Sequence, residues 1–200
     1  TAIPTAETGL SGTYTIDQTW TSTGLPRTTT YTNPTGTGLP TETTTTNYNN
    51  DGKPTTLTGT IGTAPTPYVN ATVYDPYGAV SQIAEHNPAT SFVSYYRDAH
   101  TLALNRASFY VDTNFQAAEF IYNRDVALRI TSATENLDTS PIRTQCYKYD
   151  NYSRLTEAWT ALAPCAATPT TSSIAAGYDP IWQSWTYNGS DQRLTQTNHG

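Results

Sequence analysis

The side chains in this 200-residue sequence that could do chemistry are three histidines, a recurring aspartate, two cysteines and a set of aromatic residues. His86 follows Glu85, and His100 lies two residues after Asp98. With His199 they share no ligand spacing, and a metal or catalytic role needs a third partner that the sequence does not supply. They read as surface histidines. Asp75, Asp150 and Asp179 recur along the chain. Paired carboxylates can hydrolyse glycosides, but these sit among turn-forming residues, where a short side chain bonds nearby backbone amides. The turn is the simpler reading. Tyr95, Tyr96, Trp182, Trp185 and Tyr187 could form a flat platform for sugar rings. They equally suit cross-strand stacking, worth about 0.2–1 kcal/mol per pair. Cys146 and Cys165 lie 19 apart. They permit one disulfide worth about 2–4 kcal/mol in an oxidising compartment, and remain thiols in a reducing one. Three sequons, at Asn70, Asn151 and Asn188, match the glycan-acceptor pattern, and two of them overlap turns. The expectation is a protein that is not an enzyme, with no catalytic, cofactor-binding or metal residue.

The elements that carry these residues are read from composition and period. Charged residues make up 13% and aromatic ones 12%, with 15 Tyr and 13 Pro. Thr and Tyr fit a pleated surface, so the composition is all-β. A disordered Thr/Pro stalk competes for the first third, but the Tyr, Trp and Leu beyond residue 70 supply apolar area to bury. The net charge is −6. Ten scattered basic residues make no nucleic-acid groove, and no apolar run reaches transmembrane length. The opening Thr-Ala-Ile-Pro carries no initiator Met and no signal region, as in a processed chain or an excised piece.

Gln145 to Thr160 reads as strand, turn, strand. Tyr147 and Tyr149 alternate with Cys146 and Lys148, Asp150-Asn151-Tyr152-Ser153 supplies the turn, and Leu155, Glu157 and Trp159 resume the alternation. This unit has echoes: Trp20 to Pro26, Tyr31 to Pro40, Tyr48 to Pro54, Tyr74 to Ile83, Tyr122 to Ile130 and Tyr187 to Thr195. The steps from Tyr48 to Tyr74 and from Tyr122 to Tyr149 are 26 and 27 residues. The step from Tyr149 to Tyr187 is 38, lengthened by an Ala/Pro/Thr-rich stretch near 161–176 that reads as an insertion loop. A degenerate unit fits between Phe92 and Tyr110. The best helical candidate, 97–108, fits strand alternation as well. Self-similarity at this period indicates a repeat architecture. A lone hairpin is marginal in water, but hairpins pairing side by side cover one another's edges. Prolines are expected just after turns or at strand ends, since they cannot donate to a ladder.

The units Tyr149-Asp150 to Arg154-Leu155-Thr156 and Tyr74-Asp75 to Gly78 resemble the YD repeat of the Rhs/YD-repeat family. That pattern is an aromatic residue, Asp, a short turn with Gly, then Arg-Leu or a similar pair and Thr or Ser. Gln145 to Trp159, with Pro164-Cys165-Ala166-Ala167, is similar to the repeats of actinobacterial Rhs proteins. The resemblance covers roughly 15–200 and departs where Tyr48, Tyr122 and Tyr187 are followed by Asn and where Ser153 replaces the turn glycine. It implies a long β-sheet spiralling into a hollow shell around a toxic segment or another polypeptide.

The expected fold is therefore all-β, with tandem β-hairpin repeats forming a long curved antiparallel sheet, part of a spiral β-shell. Degenerate Thr/Pro-rich repeats are expected over 1–68 and YD-type hairpins over 69–200. The structural repeat residues are Tyr74, Asp75, Gly78, Tyr122, Tyr149, Asp150, Arg154, Leu155, Tyr187, Arg193 and Leu194, with Cys146 and Cys165 as the candidate disulfide. The expected function is a structural segment of a secreted or cell-surface protein. Its partners are the remainder of the shell or neighbouring subunits and an enclosed toxin polypeptide. The pattern runs on to Gly200 with no cap, so continuation into more chain or another subunit is expected. The alternatives are a subunit of an extracellular fibre or adhesin, and a carbohydrate-binding module.

Overall fold

A computed structural model describes residues 2–3, 11–33, 40–85, 91–112, 115–138, 142–161, 165, 169–171, 174 and 180–199. His86, Tyr178 and Asp179, and most of the stretch near 161–176, lie outside the described residues. Among those described there is no helix. A short pair, β1 (Ala2–Ile3) and β2 (Gly12–Thr13), stands apart. The other strands are β3 (Thr15–Trp20), β4 (Pro26–Thr32), β5 (Glu42–Tyr48), β6 (Pro54–Ile61), β7 (Ala64–Tyr74), β8 (Val80–Glu85), β9 (Ser91–Arg97), β10 (Leu104–Tyr110), β11 (Gln116–Arg124), β12 (Ile130–Leu137), β13 (Arg143–Tyr149), β14 (Leu155–Ala161), β15 (Trp182–Tyr187) and β16 (Arg193–Asn198). They form one antiparallel sheet of 14 strands whose spatial order is the chain order. The order is not closed: β3 and β16 are its two edges. The 97–108 segment is the turn after β9 followed by β10, so the alternation in it outweighs the helical reading.

The chain divides into two compact units, Thr1–Val93 with Val111–Thr113, and Ser94–Tyr110 with Asn114–Gly200. The boundary expected at residue 68 falls inside β7, a single strand.

In the first unit, threonines opposite one another bond across the strands. Thr19 pairs with Thr28 at 2.6 Å and Thr30 with Thr43 at 2.9 Å. Asn47 bonds Thr56 in the same way at 2.9 Å. Branched hydroxyl side chains thus serve both strand geometry and a polar ladder. Pro26 and Pro54 open their strands, as expected. Pro65 and Pro67 do not: they lie inside β7, in register with Thr60 and Thr58 of β6. β7 pairs with β8 only from Val69 onward, so the proline nitrogens border no second ladder among the described residues. The register shifts between Leu57 and Thr58, and Tyr68 is the extra residue. Its ring lies where a side chain at Gly59 would be, so any larger residue there would have to displace the ring.

In the second unit the buried hydrophobic side chains among the described residues are Ala107, Cys146, Trp159 and Ala161. Cys146, Trp159 and Trp182 are in register across β13, β14 and β15. A disulfide joins Cys146 to Cys165, with the Cα atoms 5.6 Å apart. Cys165 and Trp182 pack against the cluster of Cys146, Trp159 and Ala161. The same face also carries polar pairs: Asn123 with Ser132, Thr134 with Thr144, and Lys148 with Glu157, at 2.9–3.0 Å.

The residues opening the second strands follow a three-residue turn of one kind. In the β11–β12 hairpin, Asp125 N–H donates to the Arg129 carbonyl at 3.0 Å, and Leu128 N–H donates back to Asp125 at 2.9 Å. Closing this loop against right-twisted strands requires a left-handed residue at its third position. Gly78 takes that position with φ 88° at no steric cost. Leu128 takes it with φ 63°, against a Cβ–carbonyl clash of about 1–2 kcal/mol. Leu128 is 46% exposed, so little burial is at stake. Leu128→Gly is expected to stabilise the unit by about 0.5–1 kcal/mol net of the glycine's unfolded-state entropy. A urea midpoint that stays put or falls rejects this.

Candidate functional site

The most repeated geometry in the protein is this row of turns. In each, one short polar side chain accepts backbone N–H groups two and four residues on. Asn49 receives Asp51 and Lys53, Asp75 receives Tyr77 and Ala79, Asp125 receives Ala127 and Arg129, Asp150 receives Tyr152 and Arg154, and Asn188 receives Ser190 and Gln192, all at 2.9–3.0 Å. Thr21 does the same with a hydroxyl, taking Leu25 N–H at 3.0 Å. The turn at Asp98 is one residue longer and takes His100 and Thr101 at 3.0 and 2.8 Å. The left-handed residues of these turns are Gly24, Gly52, Gly78, Leu102, Leu128, Ser153 and Asp191.

The residue before the acceptor reaches backward. Tyr48 donates its hydroxyl to the Pro26 carbonyl, Tyr74 to Pro54, Tyr149 to Ile130 and Tyr187 to Leu155, at 2.5–2.9 Å. Arg124 makes the same contact to Leu104 with Nη2 at 3.3 Å. Each acceptor carbonyl belongs to the first residue of the preceding hairpin's second strand. The strand register shifts at each of these five residues, which frees the side chain to lean across.

In the turns where the residue four after the acceptor is Arg or Lys, it reaches forward. Arg129 holds Asp125 Oδ2 at 2.6 Å, donates to the Asp150 carbonyl at 3.0 Å, and lies 5.0 Å over the Tyr149 ring. Arg154 holds Asp150 Oδ2 at 2.7 Å, the Asn188 carbonyl at 2.9 Å and Asp191 Oδ1 at 2.8 Å, with its guanidinium 4.9 Å over Tyr187. Lys53 sits 5.2 Å over Tyr74. A planar guanidinium can satisfy its own carboxylate and the next turn's carbonyl while stacking on a ring, which an ammonium cannot.

The predicted residues fall into place unevenly. Tyr74, Asp75 and Gly78 are the reaching residue, the acceptor and the left-handed position of one turn. Tyr149, Asp150, Arg154 and Leu155 are the equivalent set in another, and Tyr187 reaches to Leu155. Tyr122 is not the counterpart of Tyr149: Arg124 is, two residues on. Tyr122 instead lines a groove of about 330 Å³ with Phe120, Glu135, Arg143 and Gln145. Arg193 and Leu194 are likewise displaced. Gln192 holds the place of Arg154, Arg193 that of Leu155, and Leu194 is 63% exposed. The acceptors Thr21 and Asp98 escaped the sequence reading, although a hydroxyl or carboxylate three or four residues before a Gly or Leu marks both.

The other chemical candidates disperse. His199 shares a 2.8 Å hydrogen bond with Ser184 and stacks on Trp182 at 4.3 Å. Among the described residues no carboxylate bonds its other ring nitrogen, so the pair ties β16 to β15 rather than forming a triad. Tyr96 lies 3.9 Å under the Arg106 guanidinium. Trp182 and Trp185 are an odd number of residues apart in one strand and face opposite sides, so the five aromatics of the sugar-platform alternative do not all share one surface. Among the described residues no group of three or more His, Cys, Asp or Glu could hold a metal.

The turn carboxylates are acidified by what they bind. The Arg129 guanidinium, with the amides of Arg129 and Ala127, holds Asp125 below its ordinary range. For Asp150, partial desolvation pushes upward but is outweighed by the Arg154 amide and guanidinium and the Tyr152 amide. The Thr101 amide and hydroxyl and the His100 amide lower Asp98. A lowered folded-state pKa stabilises above the unfolded carboxylate value and is lost as pH falls through the folded value. Hydrogen exchange read between pH 6 and pH 2 is therefore expected to lose protection at Tyr152 and Arg154 only once the pH has fallen below the ordinary carboxylate range and through the lowered folded value of Asp150. Ser190 and Gln192, held by the neutral Asn188, keep theirs. Equal loss at both turns defeats this assignment.

No family model and no curated protein matches the chain. Solved structures do. The chain is similar to one in the crystal structure of TcdB2-TccC3-Cdc42, with TM-score 0.69, 14% identity, and coverage of 93% of this chain and 9% of that one. A Tc holotoxin pore of Photorhabdus luminescens with a substituted TccC3 gives 0.70, 16%, 92% and 9%. TcdB2-TccC3 gives 0.67, 15%, 92% and 10%. The chain thus spans about a tenth of the length of the solved chains it matches. The likeness is one of fold, and the fold it supports is Rhs-like.

Proposed function

We propose that this chain is a stretch of wall in an Rhs/YD-type β-shell, secreted or at a cell surface, that encloses or displays another polypeptide such as a toxin. The observation that carries this reading is the hairpin array itself: 14 strands in chain order, with five hairpins reaching back to the one before through a Tyr or Arg and two reaching forward through an Arg. Such an array extends by adding hairpins, and it spends its side chains on packing rather than on a reaction centre. The segment has no catalysis of its own on this reading. Its partners are further hairpins of the same wall and the enclosed polypeptide. The solved chains that it resembles come from a Tc holotoxin pore and TcdB2-TccC3 assemblies, which is the context that suggests a toxin.

The test is electron cryomicroscopy of the full-length secreted chain, combined with limited proteolysis. A discrete hollow particle with an internal segment resistant to protease is expected. A filament lengthening through sheet edges supports the fibre reading instead. A compact particle with no cavity, together with specific glycan binding, supports a carbohydrate module.

A further inference from the structure

We propose that the groove over Ala133 binds a free α-amino acid with an apolar side chain, its ammonium group held by Glu135 and its carboxylate by Arg143. Ala133 follows Ser132, which is in register with Cys146, so the groove lies on the opposite side of the sheet from the disulfide. It belongs to neither the turns nor the contacts that link them.

Three neighbouring strands build the groove in two rows. Phe120, Glu135 and Arg143 are register partners across β11, β12 and β13, and Tyr122, Ala133 and Gln145 form the next row. Ala133 is the one small side chain of that row, and the dip it leaves between Tyr122 and Gln145 is the floor of the groove. Ile181 adds an apolar edge beyond Thr160, whose N–H it accepts at 2.8 Å. The volume of about 330 Å³ is at the small end for ligand pockets and holds a single amino acid.

On the disulfide side, polar side chains bond one another, as Asn123 bonds Ser132 and Thr134 bonds Thr144. In the groove two polar groups are left over. Among the described residues the half-buried Glu135 carboxylate and the Tyr122 hydroxyl make no hydrogen bond or ion pair. Gln145 accepts the Tyr147 hydroxyl at 2.6 Å through Oε1, which leaves its Nε2 to donate. Arg143 presents a planar fork of N–H donors. It is the register partner of Glu135, yet no ion pair joins the two. A half-buried carboxylate without a partner is costly, and a cation that meets it recovers that cost.

One negative and one positive side chain on adjacent strands select a ligand that carries both charges. A neutral sugar or an internal stretch of peptide pairs neither of them. A simple amine or a simple carboxylate pairs one and leaves the other desolvated and alone. A free α-amino acid pairs both. Its ammonium group meets Glu135 next to the Phe120 ring, where an aromatic face adds to the attraction. Its carboxylate takes the Arg143 fork, with the Tyr122 hydroxyl and Gln145 Nε2 as further donors. Phe120, Ala133 and Ile181 then border its side chain, which sets the preference for an apolar one.

Isothermal titration calorimetry of the 200-residue chain with L-leucine tests this, with N-acetyl-L-leucine and L-leucinamide as ligands that each lack one charge. L-Leucine is expected to bind with a Kd below about 1 mM. Each blocked form is expected to bind about tenfold more weakly or worse, having lost one charge-assisted pair. Glu135→Gln is expected to weaken L-leucine by about tenfold and Tyr122→Phe by about threefold. Ala133→Leu fills the floor, touches neither charge, and is expected to abolish binding. The blocked ligands probe the unaltered protein, so the result does not depend on any variant folding. No saturable binding up to about 10 mM L-leucine, equal affinity for L-leucine and either blocked form, tighter binding of D-glucosamine, or indifference to Glu135→Gln in a folded variant overturns the proposal. The outcome bears on this groove alone and is independent of the reading of the chain as wall.

Discussion

Trp159→Ala is expected to lower the stability of the 94–200 unit by about 3–5 kcal/mol, the range for emptying a buried tryptophan site. Few other positions have this leverage. The sheet buries little apolar surface on its own: among the described residues only Ala107, Cys146, Trp159 and Ala161 are buried hydrophobics. Trp159 is the largest of them, is 3% exposed, and lies in register between Cys146 and Trp182. A loss of this size is a large share of the roughly 5–15 kcal/mol that holds an ordinary domain. The phenylalanine variant separates area from polarity. The indole N–H of Trp159 is buried without a hydrogen-bond partner among the described residues. Trp159→Phe gives up ring area but removes an unsatisfied donor, and is expected to cost under about 1.5 kcal/mol. Urea unfolding followed by far-ultraviolet circular dichroism measures both. An alanine penalty below about 1 kcal/mol would mean that the cluster is not the core of this unit.

Reducing the Cys146–Cys165 bond is expected to remove about 3 kcal/mol, the loop-closure value for a separation of 19 residues. The consequence should be local before it is global. β14 and β15 are joined by three register pairs, Glu157 with Ser184, Ala158 with Gln183 and Trp159 with Trp182. The long connector between them is tied to β13 by this one covalent link. Without it the closure entropy of the connector falls on those three pairs. Amide exchange with and without reductant is expected to rise first at β14 and β15 and least at the β10–β11 pairing. The Cys146→Ala, Cys165→Ala double variant should behave as the reduced protein does. A uniform rise, or none, contradicts the assignment of the bridge as the staple of this connector.

The sheet was legible because its two signals are local. Thr and Tyr alternate at period 2, and Asp, Asn and Gly mark turns through bonds to neighbouring backbone. Asp75 and Asp150 could be read as turn residues before any fold was known. What escaped had no such marker. A left-handed leucine looks like any leucine, so Leu102 and Leu128 gave no sign of the turn glycine's role. Residue type pairs Tyr122 with Tyr149, whereas the chain counts from the turn acceptor, which puts Arg124 in that place. The donor at the tip is what the position needs, and an aromatic ring is not. The displacement of Arg193 by one has the same origin: Arg154-Leu155-Thr156 and Arg193-Leu194-Thr195 are the same string, but Gln192, not Arg193, stands four residues after its turn acceptor as Arg154 does. Pro65 and Pro67 depart from the expectation because the rule that excludes proline from strands concerns ladder partners, and among the described residues one side of β7 has none there.

Every pairing described in the main sheet joins strands adjacent in sequence. Contacts of short sequence separation form fast, because little chain must be closed to make them. A sandwich must wait for its last strand before its first is covered. This chain can complete each hairpin as soon as the ribosome has released it, and each finished hairpin then offers the next an edge and a carbonyl to dock on. Docking can therefore follow the order of synthesis, each hairpin settling on the one before it.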